Sequence, residues 1–131
     1  MFGALTRQAP LILGILRIVA GLLFLEHGTQ KLFGFPPGEH AGVAVGTLPW
    51  IAGLLEVALG ALITIGLFTR PAAFIASGEM AVAYWMAHAP QDPFPANNGG
   101  DAAILFCFVF LYLVFAGAGA LSVDTSRRPV P

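Results

Sequence analysis

Residues 10–33 read PLILGILRIVAGLLFLEHGTQKLF, and the reading of this stretch decides the fold. A helix needs about 20 apolar residues to cross the hydrocarbon layer of a bilayer, and this run is long enough. Its apolar residues are continuous rather than alternating, which excludes a barrel strand. It is too long and too charged for the apolar region of a signal peptide, and it has no small-residue cleavage site. Three more stretches of the same kind follow, at about 48–68, 71–89 and 101–121. The breaks between them have turn chemistry: Gly34-Phe35-Pro36-Pro37-Gly38, then Thr69-Arg70-Pro71, then the Pro90–Gly100 segment with Asn97-Asn98-Gly99-Gly100. Proline near a helix start is tolerated because its missing N–H is not needed there.

Composition points the same way. Of 131 residues, 57% are hydrophobic and 10% charged, and mean hydropathy is +0.82. A soluble domain carries about 25% charged residues. A chain this short and apolar could not cover its surface with polar groups in water. The expected architecture is therefore an all-α transmembrane four-helix bundle over residues 1–124, followed by a short polar tail, 125–131. The net charge of −1 gives no electrostatic case for nucleic acid. Cys107 is the only cysteine, so an internal disulfide, a CxxC motif and a cysteine-rich metal site are excluded. Redox chemistry would have to come from a bound cofactor or a partner.

Orientation follows the positive charges. With four spans, the N-terminus, the second connection and the C-terminus share one side, which holds Arg7, Arg70, Arg127 and Arg128. The opposite side has Lys31 alone, near a helix end. Both termini are thus expected in the cytoplasm. Arg127-Arg128 reads as a stop signal with some contact to lipid head groups.

Ionisable groups inside a bilayer cost about 2.5–3.5 kcal/mol each on insertion scales, so they must face one another or a watery cavity. Arg17, Glu56 and Glu79 lie about 10, 16 and 13 Å along their helices from the inner end. An inner layer is expected in which Arg17 pairs with Glu79, Glu56 or both. Gly14, Gly21 and Gly28 share the Arg17 face, Ala52, Gly53 and Gly60 the Glu56 face, and Ala72, Ala76 and Ala83 the Glu79 face. Such small residues let backbones approach closely. The layer reads either as a static bridge that sets helix register or as a proton or anion relay.

A second, outer polar pocket is expected from Glu26, His27, Gln30 and Lys31 at the end of the first span, with His88, Asp101 and Tyr112. Phe33, Trp50, Trp85 and Phe108 would form its walls. The pocket residues read as hydrogen-bonding each other or a polar head group such as a quinone carbonyl. No spacing among them matches a known metal motif. Cys107, between Phe106 and Phe108, reads as packing. Asn97–Gly100 reads as a turn and helix cap that could order the outer loop over the pocket.

Several of these stretches resemble the DoxX family. They are Leu16-Arg17-Ile18 leading to His27-Gly28-Thr29-Gln30-Lys31-Leu32-Phe33-Gly34, Gly53-Leu54-Leu55-Glu56-Val57, and Gly66-Leu67-Phe68-Thr69-Arg70-Pro71-Ala72-Ala73. Glu79-Met80-Ala81-Val82-Ala83, Asn97-Asn98-Gly99-Gly100, Phe110-Leu111-Tyr112 and Gly117–Asp124 continue the resemblance over nearly the whole chain. It implies a four-helix protein of the bacterial inner membrane. Some family members are small membrane subunits of a thiosulfate–quinone oxidoreductase. Others are linked to an oxidoreductase complex in oxidative-stress defence, or to the maturation of partner proteins. Asp101 stands where many relatives carry glutamate, and Glu26 where a small or apolar residue is expected, which makes the outer pocket more acidic.

Two functions are therefore expected. One is the membrane subunit of a quinone-linked oxidoreductase in redox or sulfur metabolism or oxidative stress, with quinone as cofactor and a redox or maturation protein as partner. The alternative is a non-enzymatic scaffold or assembly factor. Glycine faces would also permit homo-oligomers, and a transporter ranks below both readings because no internal repeat is present.

Overall fold

The computed structural model describes residues 1–127, so Arg128 of the expected tail signal lies outside the described residues. Every regular element among them is helical. A short α1 (Phe2–Thr6) precedes the long α2 (Ala9–Phe33) and α3 (Leu48–Ile65). Next come α4 (Thr69–Ala83), which runs on into one π turn (Tyr84–His88), and α5 (Pro95–Asn98). The last described elements are α6 (Asp101–Ala116) and α7 (Val123–Ser126). Proline occupies the first turn of α2, α3 and α5, as its missing N–H allows.

Two helices, α2 and α3, are long and apolar enough to cross a membrane, while α6 is apolar but shorter. The expected boundaries shift at three places. The second stretch ends at Ile65 because Gly66 takes φ +71° and closes the helix. The fourth ends at Ala116, ahead of Leu121, because Gly117 leaves helical geometry with φ +80° and ψ −166°. The third starts two residues early, at Thr69, and its last turn is π rather than α.

Helix α2 lies antiparallel to α3, and glycines set the distance. A Cβ on Gly28 would fall 2.7 Å from the Val57 nitrogen, and one on Gly60 would fall 2.8 Å from the Leu25 nitrogen. Neither position tolerates a side chain without moving a backbone. Helix α4 lies antiparallel to α6, with Ser77 Oγ donating to the Cys107 carbonyl at 2.8 Å. These two hairpins meet through α3 and α4. Phe24, Leu59, Ile63, Ala73, Ala76, Phe110 and Leu113 fill the centre, where the Phe24 and Phe110 rings meet edge to face at 5.0 Å.

The distribution of polarity is inverted relative to a soluble protein. Arg17 and Glu56 are buried at 0% and 2% exposure, whereas Ile12, Val19, Leu22, Phe74, Phe108 and Phe115 face outward. An apolar perimeter of this extent marks a membrane-facing or partner-facing surface.

Candidate functional site

The end of the bundle expected to face inward, called the inner end below, is built from charges that close helix ends. Arg17 does not pair with Glu56 or Glu79, contrary to expectation. Its Nε donates to the Ala118 carbonyl at 2.8 Å. Its Nη1 donates to the Ile63 and Thr64 carbonyls, and Nη2 to those of Ala120 and Leu121. Ile63 and Thr64 lie in the last turn of α3, where carbonyls lack intrahelical donors and the helix dipole is negative. The guanidinium thus finds five neutral acceptors closer than any carboxylate. It ties α2 to α3 and to the segment after α6. Gly66 is required here, since a Cβ would fall 3.0 Å from Arg17 Cζ and 2.4 Å from Ser122 Cβ.

Two further charges repeat the device. Arg70 Nη1 donates to the carbonyls of Val114 and Phe115, both at 2.8 Å, at the C-terminal end of α6. Asp124 accepts from the Phe68 and Thr69 N–H groups, both at 2.9 Å, at the N-terminal end of α4. Partial burial opposes ionisation of Asp124. The N–H donors of Thr69 and Phe68 and the nearby Arg17 charge outweigh it and hold the carboxyl below its ordinary range. Phe68 adopts a left-handed φ of +50° that a bulky residue rarely takes, and the Asp124 bond holds it there. These bonds explain how the Gly66–Ala73 and Gly117–Asp124 motifs depend on each other. The sequence reading assigned neither Arg70 nor Asp124 to a site. The available signal was position, since each lies beside a helix end of opposite dipole sign.

Midway toward the other end lies a different arrangement. Lys31, from the last turn of α2, forms an ion pair with Glu56 of α3. Glu79 of α4 lies within electrostatic range of both, outside ion-pair distance of Lys31. The glycine contacts explain the pairing: they set an antiparallel register in which Lys31 Cβ packs beside Gly53, one turn from Glu56. Lys31 was expected in the outer pocket, and it joins Glu56 and Glu79 instead. Glu56 Oε2 and both Glu79 oxygens are buried and have no hydrogen-bond partner among the described residues. One cation facing two carboxyl groups leaves a charge that a low-dielectric interior does not stabilise. A proton or a cation at Glu79 would balance the charge, and a hydrogen-bond donor would satisfy the open acceptors.

The remaining residues of the expected outer pocket are dispersed. His27 is exposed on α2; its Nδ1 lies 2.8 Å from the Leu23 carbonyl, and its ring meets the edge of Phe106 at 5.8 Å. It remains within electrostatic range of Glu56. Gln30 braces the following loop by donating to the Pro36 carbonyl at 3.1 Å. Glu26 is exposed and lines a shallow groove with Leu22, Leu25, Thr29, Phe35 and Pro36. His88 belongs to another network: its Nδ1 lies 3.0 Å from the Asn98 carbonyl, and its ring stacks on Tyr84. Asn98 is buried and donates to the Asp92 carbonyl and the Tyr84 hydroxyl. This network orders the 89–100 connection. Asp101 is exposed at the start of α6.

Tyr112 lines a cavity at the inner end, not the outer one. Phe33, Trp85 and Phe108 are each more than 60% exposed, so they do not wall a pocket, and Trp50 is half-buried. The reason is helical phase. The buried stripe of α6 runs through Ala103, Phe110 and Leu113, and Phe108 lies off it. Among the described residues, no group of three histidine, cysteine, aspartate or glutamate side chains is placed to hold a metal ion.

Comparison with known proteins bears on this arrangement. The DoxX family profile matches residues 12–89. The chain belongs to the DoxX family. An uncharacterized protein of Haemophilus influenzae is 44% identical over 92% of this chain and 93% of its own length. The inner membrane protein YphA of Escherichia coli is 32% identical over 94% of this chain and 93% of its own length. No solved structure matches the chain significantly. As a DoxX protein with an apolar perimeter, it is a membrane protein. The DoxX match runs from α2 to the π turn and so contains Arg17, Lys31, Glu56 and Glu79.

Proposed function

We propose that this DoxX protein crosses the bacterial inner membrane four times, with both termini in the cytoplasm, as the membrane subunit of a quinone-linked oxidoreductase. The two antiparallel hairpins and the arginine imbalance between the ends support the topology, and the similarity to an inner membrane protein supports the location. The π turn completes the third span and the apolar α6 makes the fourth.

The observation that carries the functional reading is the buried, incompletely bonded Lys31–Glu56–Glu79 cluster. Ionisable groups retained in hydrocarbon at a cost to insertion mark proton or ligand sites. His27 is exposed on the perimeter and within electrostatic range of Glu56. A quinone head group entering along His27 and Phe106 would meet hydrogen-bond donors and a protonatable carboxyl, while electrons arrive from a partner subunit. Protons taken up on quinone reduction would pass through Glu79 and Glu56.

The test is to purify the protein from quinone-containing membranes and extract it for chromatography. Wild type is expected to carry quinone, and folded Glu79→Gln is expected to lose it. Folded wild type without quinone overturns the reading. Cysteine labelling in a Cys107→Ala background tests the topology: positions 40 and 97 should label from outside, positions 6 and 126 from inside.

One observation favours a second reading, a scaffold or maturation factor. Glu26 is exposed in the outer half of α2 beside a groove, where a helix of a partner or a second copy would cover it. In that case Glu26→Leu abolishes co-purification of the partner while Glu79→Gln has no phenotype.

A further inference from the structure

The inner end contains a cavity of about 730 Å³ between the starts of α2 and α4 and the end of α6. Its lining is mostly apolar, with Pro10, Leu13, Phe68 and Ala116, and it also presents Arg70 and Tyr112. Arg70 is held in place from one side only. Nη1 makes both carbonyl bonds, to Val114 and Phe115, and Nε and Nη2 have no hydrogen-bond partner among the described residues. A Cβ on Gly117 would fall 3.1 Å from Nη2, so the glycine keeps that edge of the guanidinium open. The Tyr112 hydroxyl, one helical turn before Ala116, likewise has no partner among the described residues. Asp124 shares the cavity, but its two oxygens are held by the Phe68 and Thr69 N–H groups. No ion pair between Asp124 and Arg70 forms among the described residues.

We propose that this cleft binds the phosphate of an anionic phospholipid of the inner leaflet. A guanidinium with two adjacent donors unused matches two phosphate oxygens in fork geometry. Tyr112 supplies a third donor, and the acyl chain lies along Leu13 and Phe68. A basic site between helices at the cytoplasmic face is where anionic head groups are held. The inference rests on the proposed topology, in which Arg70 faces the cytoplasm.

The test uses delipidated full-length protein in neutral detergent. Unfolding temperature is followed as phosphatidylglycerol, phosphatidylcholine or inorganic phosphate is added. Phosphatidylglycerol is expected to raise it, and the other two to leave it unchanged. Arg70→Gln should weaken the phosphatidylglycerol response about five-fold, in line with one basic residue at a lipid surface. Ala116→Leu fills the cleft while both Arg70 acceptors remain backbone carbonyls, and it should weaken the response as well, as should Tyr112→Phe. These last two variants decide the matter if Arg70→Gln does not fold.

Equal responses to both lipids overturn the site, as does an unchanged phosphatidylglycerol response in Ala116→Leu and Tyr112→Phe. A full response to inorganic phosphate overturns the lipid and leaves a free-anion site. Recovery of the chain in the soluble fraction overturns the membrane reading, a failure separate from loss of lipid selectivity.

Discussion

The inner end and the middle of this protein both hold charged side chains against the helices, but they neutralise them differently. At the inner end, Arg17, Arg70 and Asp124 each meet backbone groups at a helix terminus, and Arg17 and Asp124 are fully occupied by them. In the middle, Lys31 meets one carboxylate, and three carboxyl oxygens lack partners among the described residues. Helix termini offer partial charges of fixed position that no proton can remove. Carboxyl groups offer charges that a proton can cancel. The first arrangement suits a permanent fastening. The second suits a site whose charge changes during its work.

The sharpest way to break this comparison is Arg17→Gln. It strips most of the donors from five carbonyls at once, and a loss of more than about 4 kcal/mol is expected. Folded protein should disappear from the membrane fraction. Wild-type thermal stability in this variant would show that the inner fastening does not hold the bundle.

Next in size is Lys31→Met, which leaves Glu56 buried without its cation at a cost of about 3–5 kcal/mol. The double variant Lys31→Met/Glu56→Leu should regain stability to within about 1 kcal/mol of wild type, because replacing a whole buried pair by apolar groups is nearly neutral. Quinone retention should be lost in Lys31→Met and stay absent in the double variant. If retention returns with stability, the pair is structural and the two regions do not differ in kind.

Asp124→Asn should cost about 1 kcal/mol, the scale of a helix cap. It also predicts a pH signature. The carboxyl of Asp124 titrates below its unfolded value of about 3.9. Its contribution is therefore complete above that value and is lost as pH falls through the lower folded value. Thermal unfolding should show this contribution vanishing below about pH 4 in wild type. The Asp124→Asn variant should lack that component, so the gap between the two proteins closes in acid.

The smallest effect on stability is expected for Glu79→Gln, within about 0.5 kcal/mol, since no hydrogen bond is lost and a buried ionisable group is removed. The same variant should have the largest effect on quinone content. A large loss of stability instead would move Glu79 into the structural class.

Much of this division was legible before any coordinates. Glycine and alanine beside Arg17, Glu56 and Glu79 marked the packing faces correctly, because a helix contact needs small residues wherever backbones approach. Depth alone matches Arg17 with a carboxylate. Depth ignores the carbonyls of the last turn of α3 and of the 118–121 segment, which come from a helix end and a turn and leave no trace in side-chain chemistry. The outer pocket failed for a related reason. Residues 27, 88, 101 and 112 were grouped by their place along each helix, whereas azimuth sends His27 and Asp101 to the perimeter. Tyr112 lies at the opposite end from Asp101, since α6 starts at Asp101 and residue 112 is close to its C-terminus, beside Arg70.

The amino-acid sequence by itself determined that the chain is helical and apolar, and which ionisable groups it must carry into hydrocarbon. These properties are local: they follow from composition, from period and from the proline and glycine positions. Only the tertiary structure decided who meets whom. Lys31 meets Glu56 because glycine contacts set the antiparallel register of α2 on α3. Arg17 meets carbonyls because the chain after α6 turns back across its guanidinium. Pairing depends on register and rotation between helices, which are summed over the whole interface and written in no single motif.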